Sequence, residues 1–141
     1  MTHRRPSDGI LLPISTDTDI VAARQQGRAL AVRAGFTATE LTLVATAISE
    51  VARNIVMHAG TGEMTMSIVE IDDRRGMRIV ATDEGPGIDD IDRALEDGFT
   101  TGEGLGLGLP GARRLMDELT VTSAPGKGTT VVMHKWTRTD A

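Results

Sequence analysis

A chain of 141 residues with 40% apolar and 25% charged residues has the makeup of one globular domain, large enough to close a single core. Aromatic residues make up only 2%, so that core has to be aliphatic; the absence of cysteine excludes disulfides, thiolate metal sites and cysteine catalysis. A net charge of −5 lacks the basic footprint of a nucleic-acid binder, and no apolar run approaches the roughly 18 residues of a membrane span.

Residues 1–8 are polar and expected to be disordered. Ile10-Leu11-Leu12 is broken by Pro13 and is too short for a signal-peptide core, so a cytoplasmic protein is expected. Gly9 to Ser15 reads as a strand, on an edge because Pro13 removes a ladder donor. Thr16 to Asp19 supplies capping side chains, and Ile20, Ala23, Gly27, Leu30 and Ala34 give helical periodicity up to Gly35. Thr37 and Glu40 have capping-box spacing for a second, long helix, Ala38 to Ala59, stopped at Gly60. Its apolar stripe is Leu41, Val44, Ile48, Val51 and Ile55. At about 100° per residue, Glu50 and Asn54 fall roughly 40° apart on the border of that stripe, and His58 continues the row.

Glu63 to Asp72 and Met77 to Thr82 read as hairpin strands joined by the loop 73–76. Ile88 to Glu96 can form a short helix, and Leu109 to Leu119 a longer one with Pro110 in its first turn. Thr120 to Ser123 and Thr129 to Trp136 form a closing hairpin, and a frayed tail follows from Thr137. Hairpin-linked strands with helices between them predict an α/β two-layer sandwich: a mixed or antiparallel sheet covered on one face by helices, all within one domain at 9–136.

Three constellations can carry chemistry. The first is Asp83 with Gly85 and Gly87 at a strand end: the carboxylate can accept from a ligand amino group, and the glycines can admit a flat ring. A loop aspartate capping a turn is the alternative. The second is the run Gly102, Gly104, Gly106 and Gly108, which enters a helix as a phosphate-binding loop does. The third is Glu50 with Asn54 on one helix: an amide oxygen suits Mg²⁺, and a carboxylate one turn earlier can deprotonate a hydroxyl. Other formal matches fail on context. Gly106 to Gly111 satisfies a dinucleotide fingerprint without the strand that should precede it, and the three histidines are too scattered for zinc.

Taken together in this order, the three constellations resemble the GHKL ATP-binding superfamily. The segments 19–31, 46–56, 96–119 and 128–136 are similar to its bacterial serine kinases that regulate sigma factors. They come nearest the stressosome switch kinase (RsbT type), over a likeness running from Ile14 to Trp136. The resemblance implies the GHKL fold and a serine/threonine-protein kinase using ATP and Mg²⁺. Asp83, helped by Thr129, would receive adenine, with Gly85 and Gly87 beside the base. Thr100, Gly102, Gly104, Leu105, Gly106 and Gly108 would bind the phosphates, with 98–104 as a lid. Asn54 would hold Mg²⁺, and Glu50 would be the catalytic base. Where histidine kinases carry a lysine after the asparagine, this chain has His58, which leaves Arg53 and Arg113 as candidates for the cationic phosphate contact. Implied partners are STAS-domain proteins as substrates and a downstream phosphatase or other output protein, with no nucleic acid and no membrane. The alternative is an anti-sigma factor that grips a sigma factor in a nucleotide-dependent way.

Overall fold

The computed structural model describes residues 7–87, 95 and 108–138. Five strands form one sheet in the order β1-β2-β3-β5-β4, with every neighbouring pair antiparallel. They are β1 (Ser7–Ile14), β2 (Gly62–Ile71), β3 (Arg74–Asp83), β4 (Glu118–Ser123) and β5 (Thr129–Trp136). Among the described residues, three helices, α1 (Asp17–Ala34), α2 (Ala38–His58) and α3 (Gly108–Leu115), pack together over the sheet, giving the expected two-layer sandwich.

Strand alternation decides which face is covered. Met64, Met66 and Ile68 of β2 lie opposite Ala81, Ile79 and Met77 of β3, and Val131 and Met133 of β5 continue two of those rows. All are buried. They meet the α2 stripe of Leu41, Val44, Ile48, Val51 and Ile55 together with Ala23, Leu30 and Ala34 of α1. The opposite face leaves Leu11, Thr65, Arg78, Thr120 and Thr122 exposed. Gly27 sits where α1 crosses both layers; the room for its side chain is taken by Ile48 Cδ1 and by Met66 Sδ at 3.2 Å.

Both long helices begin with a capping box. Thr37 Oγ1 accepts from Glu40 N at 3.2 Å, while Glu40 Oε1 accepts from Thr37 N at 2.9 Å. Thr16 and Asp19 repeat the arrangement on α1, so that helix starts at Asp17, three residues before the first apolar repeat at Ile20. Gly35 ends α1 with φ +98, which favours a residue without Cβ.

Several boundaries differ from the sequence reading. β1 already runs at Ser7, and residues 1–6 lie outside the described residues. α2 ends at His58, with Ala59 as its cap and Gly60 left-handed beyond it. The β2–β3 turn sits on Asp72 and Asp73, both at positive φ, instead of on 73–76, so β3 begins at Arg74. Gly76 is a strand residue whose missing Cβ makes room for the Lys135 carbonyl and the Trp136 ring. α3 stops at Leu115 and β4 starts at Glu118, because Asp117 N bonds the His134 carbonyl and draws the chain into the sheet. Lys135 Nζ caps that helix end, 3.0 Å from the Leu115 carbonyl. Thr137 is tied to the Arg75 carbonyl by both its N–H and its hydroxyl, so the chain is not frayed at Thr137; residues 139–141 lie outside those described. The helix expected at 88–96 falls on residues that, Leu95 apart, lie outside those described.

Candidate functional site

β3 ends between two partners: Asp83 lies opposite Gly62 of β2 and Thr129 of β5. By the strand period, Asp83 and Thr129 both belong to the helix-covered face. Asp83 Oδ1 accepts the Gly85 N–H at 2.9 Å, so one carboxylate oxygen holds the turn that follows. The other takes no hydrogen bond from a described residue and is available to a donor. Thr129 is buried and its hydroxyl lies 3.0 Å from that of Ser123. Ser123 donates its only hydroxyl proton to the Gly128 carbonyl at 2.8 Å. With that proton committed, Thr129 is left to donate to Ser123, on the strand position paired with Asp83.

The turn after Asp83 is braced from two sides. A Cβ on Gly85 would meet the Ala59 Cβ at 2.6 Å, which seats this turn against the end of α2. Gly87, at φ +82, packs on the Ala124 carbonyl, and Gly126 N donates to the Pro86 carbonyl at 2.6 Å. These glycines are thus required by contacts within the protein, whatever else they admit. The turn at 124–128 was not singled out from sequence as part of the site, although its Pro-Gly-Lys-Gly composition marks a tight turn of the kind that can brace a neighbouring loop.

From the same end of α2, the row Glu50, Asn54 and His58 runs at one-turn spacing. Glu50 is only 6% exposed, Asn54 is half-buried and His58 is exposed. Glu50 Oε1 accepts the backbone N–H of Gly108, the first residue of α3, at 3.0 Å. A helix N-terminus carries unpaired N–H groups and a partial positive charge, and here a carboxylate from α2 answers them. The position that attracts an anion is thereby identified by an anion of the chain itself. Arg113 is exposed in the last turn of α3, where a cation suits the helix dipole.

The structure thus brings Asp83, Gly85, Gly87 and Thr129 together at the sheet end, against the end of α2 at Ala59, and joins Glu50 to Gly108; Asn54 lies on α2 one turn after Glu50. Thr100, Gly102, Gly104, Leu105 and Gly106, and with them the expected lid, lie outside the described residues. The sheet end thus offers acceptors to a donor-bearing group, and the start of α3 offers an N–H to an anion.

Residues 14–135 match the histidine kinase-like ATPase domain, and the chain belongs to that family. It is an ATP-dependent serine/threonine kinase of the GHKL, RsbT-like class. Over 132 residues it is 47% identical to the serine/threonine-protein kinase RsbT of Bacillus subtilis (strain 168), covering 94% of this chain and 99% of that protein. It is also 36% identical over 120 residues to the anti-sigma F factor of Caldanaerobacter subterraneus subsp. tengcongensis, covering 81% of this chain and 82% of that one. Among solved structures, the mycobacterial sensor histidine kinase MprB shares the fold at TM-score 0.56 and 19% identity, over 93% of this chain and 100% of that one. No helix among the described residues is long and apolar enough to cross a membrane.

Proposed function

We propose that this kinase phosphorylates serine or threonine hydroxyls of STAS-domain partner proteins in a stress-responsive partner-switching pathway. Released from those partners, it engages a downstream phosphatase or other output protein. The reading rests on the whole-length likeness to RsbT and on a single geometric observation. A buried carboxylate, Glu50, lies against the amide that opens α3, and Asn54 follows one turn along the same helix.

In this reading Asp83 and Thr129 accept from the adenine edge at the sheet end. Gly108, with Thr100, Gly102, Gly104, Leu105 and Gly106 ahead of it in sequence, binds the phosphates. Asn54 would offer a neutral oxygen to Mg²⁺, which would neutralise phosphate charge during transfer. ATP supplies the phosphoryl group. Glu50 takes the proton of the acceptor hydroxyl as the new O–P bond forms and the bond to the leaving diphosphate breaks. Such transfer is mostly positioning and charge neutralisation, so few side chains suffice. Action in the cytoplasm by one domain at 9–136 completes the proposal.

The likeness to anti-sigma F factors supports a second reading, in which nucleotide chiefly sets the affinity for a sigma factor. Incubation with Mg-ATP and a STAS-domain protein, read by mass spectrometry, separates the two. One phosphate on a serine or threonine of the partner is expected. An unmodified partner, with tight nucleotide-dependent capture of a sigma factor, would sink the first reading.

A further inference from the structure

Among the described residues, two buried side-chain nitrogens have no hydrogen-bond partner: Trp136 Nε1 and Arg53 Nε. The first is neutral and belongs to an aromatic stack, with the His134 ring centroid at 5.4 Å and the Arg74 guanidinium 4.1 Å from the Trp136 ring. The second is part of a cation. Arg53 is half-buried and forms no ion pair with any described residue. Burying a guanidinium nitrogen without an acceptor is costly, and the cost is relieved when an anion arrives.

The position of Arg53 says which anion. It lies on α2 directly before Asn54 and one turn after Glu50. Ser49 and Glu50 are its neighbours one turn earlier on the same helix. Neither of those residues answers it: the Ser49 hydroxyl donates to the Ala45 carbonyl at 3.1 Å, and Glu50 Oε1 is bonded to Gly108 N. Among the described residues, Arg53 thus has no ion-pair partner, and it stands one turn from the carboxylate that faces the start of α3.

We infer that Arg53 is the phosphate-binding cation of this kinase, and that it contacts the terminal phosphoryl group of ATP. The inference rests on the ATP-site reading above, with adenine at Asp83. Glu50 has to stand beside both the acceptor hydroxyl and the phosphoryl group in transit, and Arg53 shares its turn. The planar guanidinium gives two parallel donors to phosphate oxygens, which a lysine at the same point cannot match. Arg113, the other cation considered from the sequence, faces solvent at the far end of α3.

Calorimetric titration of the whole chain with Mg-ADP and with a non-hydrolysable Mg-ATP analogue tests the assignment, using wild type, Arg53→Met and Arg53→Lys. A charged hydrogen bond is worth enough that Arg53→Met is expected to weaken the triphosphate about 10- to 100-fold while ADP changes less than about threefold. Arg53→Lys is expected to recover part of the difference. Because Nε bonds none of the described residues, Arg53→Met is expected to melt no lower than wild type without nucleotide. Equal losses for both nucleotides, an unchanged ratio, or a variant that unfolds would make Arg53 structural and overturn the inference. A wild-type chain that binds neither nucleotide would instead bring down the ATP-site reading, and this inference with it.

Discussion

The Glu50 carboxylate accepts the Gly108 N–H at 3.0 Å, so the side chain assigned as the base also caps the helix assigned to the phosphates. The two roles separate in Glu50→Gln, which keeps an oxygen for the amide and loses the charge. General-base catalysis contributes about 10²- to 10⁴-fold, and phosphate transfer to the partner is expected to fall by at least about 100-fold. Nucleotide affinity, measured by calorimetry, is expected to hold or rise, because a negative charge leaves the phosphate end. A parallel loss of affinity and rate would reduce Glu50 to a cap.

Asp83 offers one oxygen to Gly85 and keeps the other for a ligand donor. Asp83→Asn preserves the shape but can place an N–H where an acceptor is needed. A misplaced donor costs about 1–3 kcal/mol, so ATP and ADP are both expected to bind about 5- to 150-fold more weakly, in equal proportion. Unequal losses would show that Asp83 acts at the phosphates.

Gly87 and Gly126 are both left-handed, but only Gly87 has a neighbour in the way, the Ala124 carbonyl. Gly126→Ala is expected to lose only the left-handed penalty of about 1–2 kcal/mol. Gly87→Ala adds a backbone collision that cannot swing aside, and is expected to lower the melting temperature further and weaken nucleotide binding. Equal melting of the two variants would contradict the packing described for this turn.

The capping box of α2 gives a test remote from the site. Thr37→Ala removes the acceptor for Glu40 N and is expected to cost about 1 kcal/mol, or roughly 3 °C in melting temperature. Nucleotide affinity should not change. A drop much larger than this would mean that Thr37 does more than start the helix.

His134 is pushed below its ordinary value of 6.5, first by burial and then by Arg78 and Arg74, with Glu118 at 3.3 Å pulling the other way. The folded protein therefore resists protonation that the unfolded chain accepts. Stability is full above 6.5 and is lost as pH falls from there through the folded-state value. Asp19, held low first by the Ser15 N–H, acts only in more acid solution. Melting followed from pH 8 to pH 5 is expected to decline in wild type and to decline less in His134→Gln. Parallel curves would rule out His134 as the source.

What could be read from sequence was local. Thr37 and Glu40 announce a helix start because their spacing matches one turn, and Met64, Met66 and Ile68 announce a covered strand face by alternation. Glu50 and Asn54 stood out as polar residues on the margin of an apolar stripe, and the GHKL-type fold and kinase class followed from their resemblance in combination. The misplaced boundaries have specific causes. Ile20 marks where α1 meets the core, whereas the cap at Thr16 sets where the helix begins. Gly76 was read as a turn residue although its role is to make room for Trp136, sixty residues later. Leu119 has helical spacing to Leu115 but pairs with Met133 in the sheet. The Glu50–Gly108 bond and the unpaired Arg53 Nε had no signal at all, since both depend on how α2 meets the rest of the fold.

α3 is held at both ends by side chains from other elements. A carboxylate of α2 sits at its first amide, and the Lys135 ammonium of β5 sits at its last carbonyl. Both charges oppose the helix dipole, so the eight-residue helix is tethered like a short rod between two posts. Just beyond the second post the Asp117 carboxylate holds the Trp136 N–H at 2.7 Å, so the same few bonds also fasten the chain leaving α3 to the sheet. Removing either post is expected to speed amide exchange in α3 before the strands are affected.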